Sequence, residues 1–315
     1  MREQDNWRHR TEMHCNIAKL DCTASLLERL LVTYARRFPL RRGKIRVVNA
    51  LWRYAAAGNG TQRLAKLRYG GFVMPCDLRE MLQRQFYFFG TYFLEEDILS
   101  CWTKAARRAR IVFDIGANAG IYSLAALAQK PDADVHAFEP TAEIAARLRE
   151  TASLNRLDRL HTHELAVSRE NGHAILHRWR GADNSNEGMN FITMDGDDAA
   201  ERVQTVCLDG FCRNQSIEHI DLLKLDIQGQ EAAALAGAKG LLNAGAISTI
   251  FMELNWTPAP AVYCPATDAI ETLQRAGYHF SKPGLNLIWR PAGGWLRNLS
   301  DIVAQRLRPT NGMLP

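Results

Sequence analysis

The chain has 315 residues, of which 47% are hydrophobic and 23% are charged, and its net charge is +5. This length and composition exclude a disordered protein and allow one large domain with an additional segment. No apolar run approaches the ~18 residues needed to cross a bilayer, and the charged first residues are not typical of a secretion signal. The seven cysteines lack paired spacing, so we expect a reduced, cytoplasmic protein without a bound metal.

The first 70 residues form a basic segment. They contain fifteen Lys or Arg and five Asp or Glu, which leaves the rest of the chain net negative. Apolar residues at three- and four-residue spacing predict an amphipathic helix over 23–38, ended by Pro39, and a second helix over 47–55. Two interpretations stay open: a helical cap whose basic side chains face water, or a contact surface for a membrane or an anionic sugar carrier.

Three features lead from this extension to the most informative stretch. Residues 67–78 indicate a hairpin that turns at two adjacent glycines, and residues 95–106 indicate a helix. Between them, residues 85–92 are dense in aromatic side chains. Such a run belongs to the core or forms a stacking wall for a sugar.

Residues 111–127 predict a strand, a tight loop and a helix, the first half of a β-α-β unit. Gly116 and Gly120 allow a sharp turn and a close approach to a ligand, since neither carries a Cβ. A dinucleotide site would have glycine at Asn118. Asp114 would repel a pyrophosphate but suits an ammonium group. S-adenosylmethionine carries an ammonium group and has no phosphate.

The next strand, over 133–139, ends in a second acid. Glu139 lies 23 residues after Gly116, close to the spacing at which an acid binds ribose hydroxyls. Together with Asp114 and Asn118, it predicts an S-adenosylmethionine site rather than an NAD site.

A helix is expected over 141–154 and a third strand over 161–168. The polar stretch 169–200 contains a candidate strand over 174–177. Long polar loops beside a binding crevice often determine specificity.

Residues 220–231 repeat the strand-turn-helix pattern. The strand ends at Asp226, the turn lies at Gly229, and Glu231 opens the helix, so Asp226 is expected at the same edge of the sheet as Asp114. Asp226 is our first candidate for a catalytic base or orienting group, and Glu231 is the second. The alternatives are a loop cap for Asp226 and a favourable helix N-terminus for Glu231.

The chain closes with a fifth strand over 246–254, whose end residues Glu253 and Asn255 are lesser candidates for binding acceptor hydroxyls. Beyond it, the pattern predicts a helix over 268–276 and a hairpin over 278–289. The basic tail, 293–315, is expected to contain a short helix near 299–307.

Four runs, in this order, resemble the FkbM-type S-adenosylmethionine-dependent methyltransferases: residues 113–120, 138–140, 165–168 and 224–231. The similarity covers roughly residues 70–290. It implies an α/β fold: a doubly wound, mostly parallel, seven-stranded Rossmann-like sheet with its last strand antiparallel. The domains would then be an N-terminal helical extension over 1–70, a methyltransferase domain over 71–292 and a basic C-terminal tail over 293–315.

The resemblance also implies a set of cofactor contacts: Asp114, Gly116, Asn118, Gly120, Glu139 and Pro140. Two positions depart from the family's pattern, since Gln228 and Phe93 stand where acids are usual. Members of this kind are mostly O-methyltransferases that act on hydroxyls of sugars or polyketides.

We therefore expect an O-methyltransferase acting on a hydroxyl, with a sugar of a glycan, glycolipid or related natural product as the acceptor. The alternative is a non-catalytic S-adenosylmethionine-binding scaffold that docks through its basic segment. Nucleic acid is not expected, because the turn after Asp226 lacks the Pro-Pro-aromatic sequence with which amino-group methyltransferases stack a flipped base. The oligomeric state stays open.

Overall fold

The computed structural model describes residues 24–39, 41, 43–57, 60–178, 190–194, 201–253, 266–281 and 301–306. The chain separates into two compact units, and the main division falls between Leu94 and Glu95. In the described ranges, no helix has the length and apolar content to cross a membrane.

Among the described residues, the first unit contains three helices and a two-stranded hairpin. Their bounds are α1 (Leu26–Arg37), α2 (Lys44–Ala55), β1 (Gln62–Lys66), β2 (Val73–Asp77) and α3 (Met81–Phe89). Ser25 caps α1, because its hydroxyl accepts a hydrogen bond from the Glu28 amide at 3.1 Å. The two predicted helices are confirmed. The hairpin turns at the two glycines as predicted, but its first strand, Gln62–Lys66, lies before the predicted range of 67–78.

The aromatic run of this unit belongs to its core. Phe86, Phe88 and Phe89 are fully buried, and the ring of Phe93 stacks on that of Phe89 with centroids 4.4 Å apart. The core interpretation is confirmed, and these three rings offer no exposed surface to a sugar. A buried ion pair adds to the packing, with Arg63 Nε donating to Glu28 Oε1 at 2.6 Å.

A short 3₁₀ helix, Phe93–Glu95, contains the division, and the second unit begins at its last residue. Its helices are α4 (Glu96–Ala106), α5 (Ile121–Gln129), α6 (Ala142–Asn155), α7 (Leu208–Asn214), α8 (Glu231–Ala236), α9 (Lys239–Ala244) and α10 (Ala266–Arg275). Its strands are β3 (Ile111–Ile115), β4 (Asp134–Phe138), β5 (Leu160–His163), β6 (Ala166–Val167), β7 (Gly172–His177), β8 (Phe191–Thr193), β9 (Arg202–Val206), β10 (Ile220–Leu225), β11 (Ile247–Glu253), β12 (Tyr278–Ser281) and β13 (Asp301–Arg306).

The main sheet has the strand order β12-β13-β11-β10-β3-β4-β5. The five neighbouring strands from β11 to β5 pair in parallel. Strand β13 pairs antiparallel with both β11 and β12. The predicted α/β class with a mainly parallel sheet is confirmed.

Helices cover both faces of this sheet. On one face, Phe113 and Ile115 of β3 join a hydrophobic cluster with residues of α7 to α10. On the other face, Phe251 packs edge-on against Trp102 of α4, with ring centroids 5.3 Å apart. Because side chains alternate along a strand, Asp114 lies on the face opposite to Phe113.

The third predicted strand, over 161–168, is wrong in its second half. Strand β5 ends at His163, and Ala166–Val167 forms β6 in a separate four-stranded sheet of order β6-β9-β7-β8. The physical reason is that β6 finds its partner in β9, where Ala166 pairs with Thr205. The strand expected over 174–177 is confirmed as β7.

The short helix expected near 299–307 is also wrong, because Asp301–Arg306 is strand β13. Both of its edges form antiparallel ladders, and this long-range pairing overrides the local helical pattern. The other half of the predicted closing hairpin, residues 285–289, lies outside the described residues.

Candidate active site

The candidate site lies at the carboxyl ends of four neighbouring parallel strands. In the sheet register, Ile115 pairs with Phe138 on one side and with Leu225 on the other, and Leu225 pairs with Met252. The next residues in sequence are Gly116, Glu139, Asp226 and Glu253. The structure therefore brings these predicted candidates to one edge of the sheet, where ligands of α/β proteins bind.

Asp114 is buried and only half satisfied. Its Oδ2 accepts hydrogen bonds from the Ser123 amide at 2.9 Å and the Ser123 hydroxyl at 2.6 Å. Its Oδ1 has no hydrogen-bond partner among the described residues. Burial raises the pKa of the Asp114 carboxyl, although the charge of Lys224 and the bonds from Ser123 oppose that rise. A cation placed at Oδ1 would offset the cost of burial.

The two loop glycines have structural reasons to be glycine. Gly116 has φ +77°, and a Cβ there would lie 1.9 Å from the carbonyl oxygen of Asp226. Gly120 has φ +82°, and a Cβ would lie 2.3 Å from Leu148 Cδ1. Gly116 thus lets the loop after β3 pack against the chain after β10.

Glu139 holds the same loop from the next strand. Its Oε2 accepts a hydrogen bond from the Asn118 amide at 3.1 Å, and its Oε1 accepts one from the Thr141 amide at 2.9 Å. Asn118 has φ +46°, and its side-chain oxygen accepts from the Ala119 amide at 2.6 Å. Pro140, directly after Glu139, is half-buried. Glu139 thus fixes the loop after β3 against the start of α6 through both of its carboxylate oxygens.

Asp226 differs from Asp114 because donors hold both of its oxygens. Lys224 Nζ donates to Oδ2 at 2.6 Å, and Gln228 Nε2 donates to Oδ1 at 3.1 Å. Burial would raise the pKa of Asp226, but the charge of Lys224 and the hydrogen bonds from Lys224 and Gln228 outweigh it, so this pKa lies below its usual range. Such a carboxylate orients a hydroxyl well and is a weak base.

Gln228 joins the ends of two strands. Its Nε2 also donates to Glu253 Oε2, at 3.1 Å, so one amide nitrogen contacts both carboxylates. Gln228 has φ +53°, so its backbone is in the left-handed region. Glu253 is therefore placed beside Asp226, whereas Asn255 lies outside the described residues.

Glu231 accepts hydrogen bonds from the backbone of the turn after β10. Its Oε1 accepts hydrogen bonds from the Ile227 amide at 3.1 Å and the Gly229 amide at 3.2 Å. Burial raises its pKa to about 7, and the charge of Asp226 adds to this rise against the backbone bonds. The contacts favour the structural alternative for Glu231 over a catalytic one.

Lys224 is the central residue that the sequence reasoning missed. Its Nζ lies 4.3 Å from the centroid of the Tyr122 ring, and the Tyr122 hydroxyl donates to Glu95 Oε2 at 2.6 Å. Burial lowers the pKa of Lys224, but the charges of Asp226, Glu95 and Asp114 outweigh this and raise it. A lysine inside an apolar strand was the available signal, because a buried charge needs partners.

One buried cation thus faces three carboxylates at this edge of the sheet. Lys224 is 6% exposed and Asp114 is 1% exposed, so water screens their interactions weakly. The excess of negative charge suits a cationic ligand.

Two histidines pack against each other on neighbouring strands. His136 Nδ1 lies 3.0 Å from His163 Nε2, and the rings stack with centroids 5.3 Å apart. Burial lowers the pKa of both histidines to about 4. They lie on β4 and β5 against Phe211, and the His163 carbonyl oxygen accepts a hydrogen bond from the Glu139 amide at 3.0 Å.

A model of the methyltransferase FkbM domain matches residues 114–280. The chain belongs to the FkbM methyltransferase family. A relative, the 2-O-methyltransferase NoeI of Sinorhizobium fredii (strain NBRC 101917 / NGR234), is 31% identical over 147 residues, which are 42% of this chain and 58% of that protein. The match thus spans 58% of the relative's length.

Two solved structures have a low similarity to this FkbM-family chain. The precorrin-6y C5,15-methyltransferase of Geobacter metallireducens GS-15 has a TM-score of 0.38 at 11% identity, covering 67% of this chain and 88% of that one. An O-methyltransferase family protein of Burkholderia thailandensis has a TM-score of 0.36 at 13% identity, covering 68% and 56%. Family membership rests on the domain match, not on these scores.

The cofactor of this methyltransferase domain is S-adenosylmethionine, as the sequence predicts. The residues present fit it. The unpartnered Oδ1 of Asp114 is an acceptor for an ammonium group, and Glu139 is an acceptor for ribose hydroxyls, at the spacing noted above.

Proposed function

We propose that this protein is an S-adenosylmethionine-dependent O-methyltransferase that methylates a hydroxyl group of a sugar. The observation that carries the proposal is the unpartnered oxygen of buried Asp114, one strand away from the fully bonded carboxylate of Asp226. The first arrangement suits a cationic cofactor and the second suits a neutral hydroxyl. The name of the relative, a 2-O-methyltransferase, supports an oxygen acceptor.

We propose that Asp114, Gly116, Asn118, Gly120, Glu139 and Pro140 line the cofactor site, within a seven-stranded Rossmann-like methyltransferase sheet preceded by an N-terminal helical extension. The domain divisions at residues 70 and 292 belong to the same proposal. The cofactor supplies the methyl group. Asp114 holds the ammonium end and Glu139 the ribose hydroxyls, which fixes the orientation needed for an in-line displacement.

On the acceptor side, Asp226 accepts a hydrogen bond from the reacting hydroxyl and orients its oxygen. Lys224 keeps this carboxylate ionised, so the proton of the hydroxyl moves toward it only as the new bond forms. Gln228 holds Glu253 beside Asp226, and two adjacent carboxylates can bind neighbouring hydroxyls of a sugar. No step of this scheme uses Glu231 as a base.

The test is transfer of labelled methyl from S-adenosylmethionine to a panel of oligosaccharides with free hydroxyls, with fully O-methylated oligosaccharides as the negative acceptors. Asp226→Asn should lower turnover by about 100-fold or more. Asp268→Asn, an exposed acid at the start of α10, is the matched control. Turnover that survives Asp226→Asn would remove Asp226 from the mechanism.

The non-catalytic scaffold is not favoured, because the acidic residues of both loops are present and positioned. Binding of S-adenosylmethionine without transfer to any acceptor of the panel would support the scaffold instead.

A further inference from the structure

Exposed large hydrophobic side chains are concentrated on the first helical pair. Of the eight in the described part of the chain, six lie between residues 26 and 54. They are Leu26, Leu27, Leu30, Phe38, Leu51 and Tyr54. Isolated exposed apolar residues are normal on a protein surface, whereas a cluster marks a contact site.

Five of these side chains lie at one end of the pair. Ser25, the cap of α1, donates its hydroxyl hydrogen to the carbonyl oxygen of Ala55 at 2.7 Å. The start of α1 is therefore next to the end of α2. We define the α1–α2 patch by its five members, Leu26, Leu27, Leu30, Leu51 and Tyr54. Leu26 and Tyr54 are 75% and 74% exposed, more than a core-facing side chain would be.

The charge of this region has one sign. Residues 24–57 contain eight Lys or Arg and a single acid, Glu28. Glu28 is fully buried in its ion pair with Arg63, so no acidic side chain of this stretch reaches the surface. Arg29 and Arg53 are exposed, each within a turn of a patch residue.

We propose that the α1–α2 patch docks this protein onto an anionic lipid bilayer. Leucine and tyrosine side chains enter the apolar boundary of the lipid headgroups, and the arginines pair with the phosphates, as amphipathic helices do at interfaces. The surrounding positive charge opposes a second copy of this surface, since it would bring Arg29 and Arg53 against their equivalents. A nucleic acid would use the arginines but leave the leucines in water. The proposal does not depend on the methyl transfer proposed above.

The test is flotation of the full chain with vesicles of phosphatidylcholine containing about 30% phosphatidylglycerol, against vesicles of phosphatidylcholine alone. At about 0.1 M salt we expect binding to the anionic vesicles to be at least about tenfold stronger, and to weaken as salt screens the charges. Leu26→Asn with Leu30→Asn should lower it by about tenfold or more. Arg29→Gln with Arg53→Gln should lower it by about tenfold to 30-fold, since each charge near the surface contributes roughly 1 kcal/mol.

Matched controls come from elsewhere on the surface. Leu94→Asn removes a leucine that is 57% exposed outside the patch, and Lys104→Gln with Arg108→Gln removes two exposed charges of α4 and its end. Both should bind the anionic vesicles as the unchanged protein does. Because each altered side chain is exposed, every variant should keep the melting temperature of the unchanged protein. Measuring that temperature checks that each variant is folded.

Three results would overturn the proposal. The first is equal binding to both kinds of vesicle, or none to either. The second is a loss of binding with the control variants as large as with the patch variants. The third is a dimer, seen by sedimentation without lipid, that Leu26→Asn with Leu30→Asn dissociates; the patch would then be an interface between copies.

Discussion

The two strand-turn-helix segments of the main sheet, one after β3 and one after β10, share a design and differ in how their acids are satisfied. Asp114 is bonded through Oδ2 to Ser123, while Oδ1 has no partner in the described part of the chain. Asp226 has a donor on each oxygen, from Lys224 and Gln228. The first acid therefore has one oxygen without a donor, whereas the ammonium group of Lys224 donates directly to the second.

We propose that this difference separates the ligands of the two loops. A buried acceptor without a donor is costly unless a ligand supplies the donor, so the loop after β3 suits the positively charged cofactor. The loop after β10 is organised before any ligand arrives, and preorganised groups of this kind orient a neutral hydroxyl.

Removing the buried cation, Lys224, should have the largest effect on the free energy of unfolding. Lys224→Met leaves Asp226 buried without its ion pair, which typically costs about 3–5 kcal/mol, measured as the free energy of unfolding in urea at pH 7. Lys224 holds the pKa of Asp226 below its ordinary value of 3.8. Its contribution is therefore fully present above that value and is lost as pH falls through the folded-state pKa.

The loss caused by Lys224→Met should accordingly shrink in unfolding experiments as the pH is lowered below 3.8. Lys239→Met, at an exposed position of α9, is the control. A loss under about 1 kcal/mol at pH 7 would mean that the ion pair is not buried in solution.

Separating the two loops should have the next largest effect. Gly116→Ala places a methyl group against the backbone of Asp226, 1.9 Å from its carbonyl oxygen, and we expect a loss of about 3 kcal/mol or more of unfolding free energy. Gly277→Ala has a similar φ of +80° with nothing within 4 Å, so it should cost about 1 kcal/mol. Equal losses in thermal or urea unfolding would show that backbone strain alone, and not the contact between the loops, requires glycine at 116.

Much of this arrangement could be predicted from the sequence because its signals are local. Glycines after an apolar strand, with an acid before them, located both loops together with Asp114 and Asp226, and the spacing from Gly116 to the end of the next strand located Glu139. The carboxyl ends of parallel strands meet at one edge, so order along the chain was enough to group these residues.

What the sequence could not reveal depends on partners far apart in the chain. The contact of Lys224 with Tyr122, and that of Tyr122 with Glu95, join elements of three separate segments. Strand β13 forms antiparallel ladders with β11 and β12. The sequence pattern of residues 301–306 alone does not predict this pairing. Gln228 was noticed only as a departure from the family pattern, and its bonds to two carboxylates appear only in the structure.

The smallest predicted effect is on the pH dependence of stability at Glu231, and it distinguishes a residue that bonds the turn from a catalytic base. Because burial raises the pKa of Glu231 from 4.5 to about 7, the unfolded chain loses this proton at lower pH than the folded protein. Stability therefore falls as pH rises from about 4.5 to 7. Glu231→Gln keeps an oxygen to accept from Ile227 and Gly229, so it should stabilise the protein by about 1–2 kcal/mol at pH 8 and by little at pH 5.

Unfolding of this variant at both pH values checks the prediction, with Glu271→Gln at an exposed position as the control. A Glu231→Gln protein that is less stable at pH 8 would contradict it.

The most direct measurement of the assignment of the two loops is calorimetric titration of S-adenosylmethionine into the unchanged protein, Asp114→Asn and Asp226→Asn. Asparagine at 114 keeps an acceptor for Ser123 but loses the negative charge, so we expect affinity to fall by about 10- to 100-fold. Asparagine at 226 should change affinity by less than about threefold. Equal affinities for the unchanged protein and Asp114→Asn, or a loss with Asp226→Asn as large as with Asp114→Asn, would contradict the account.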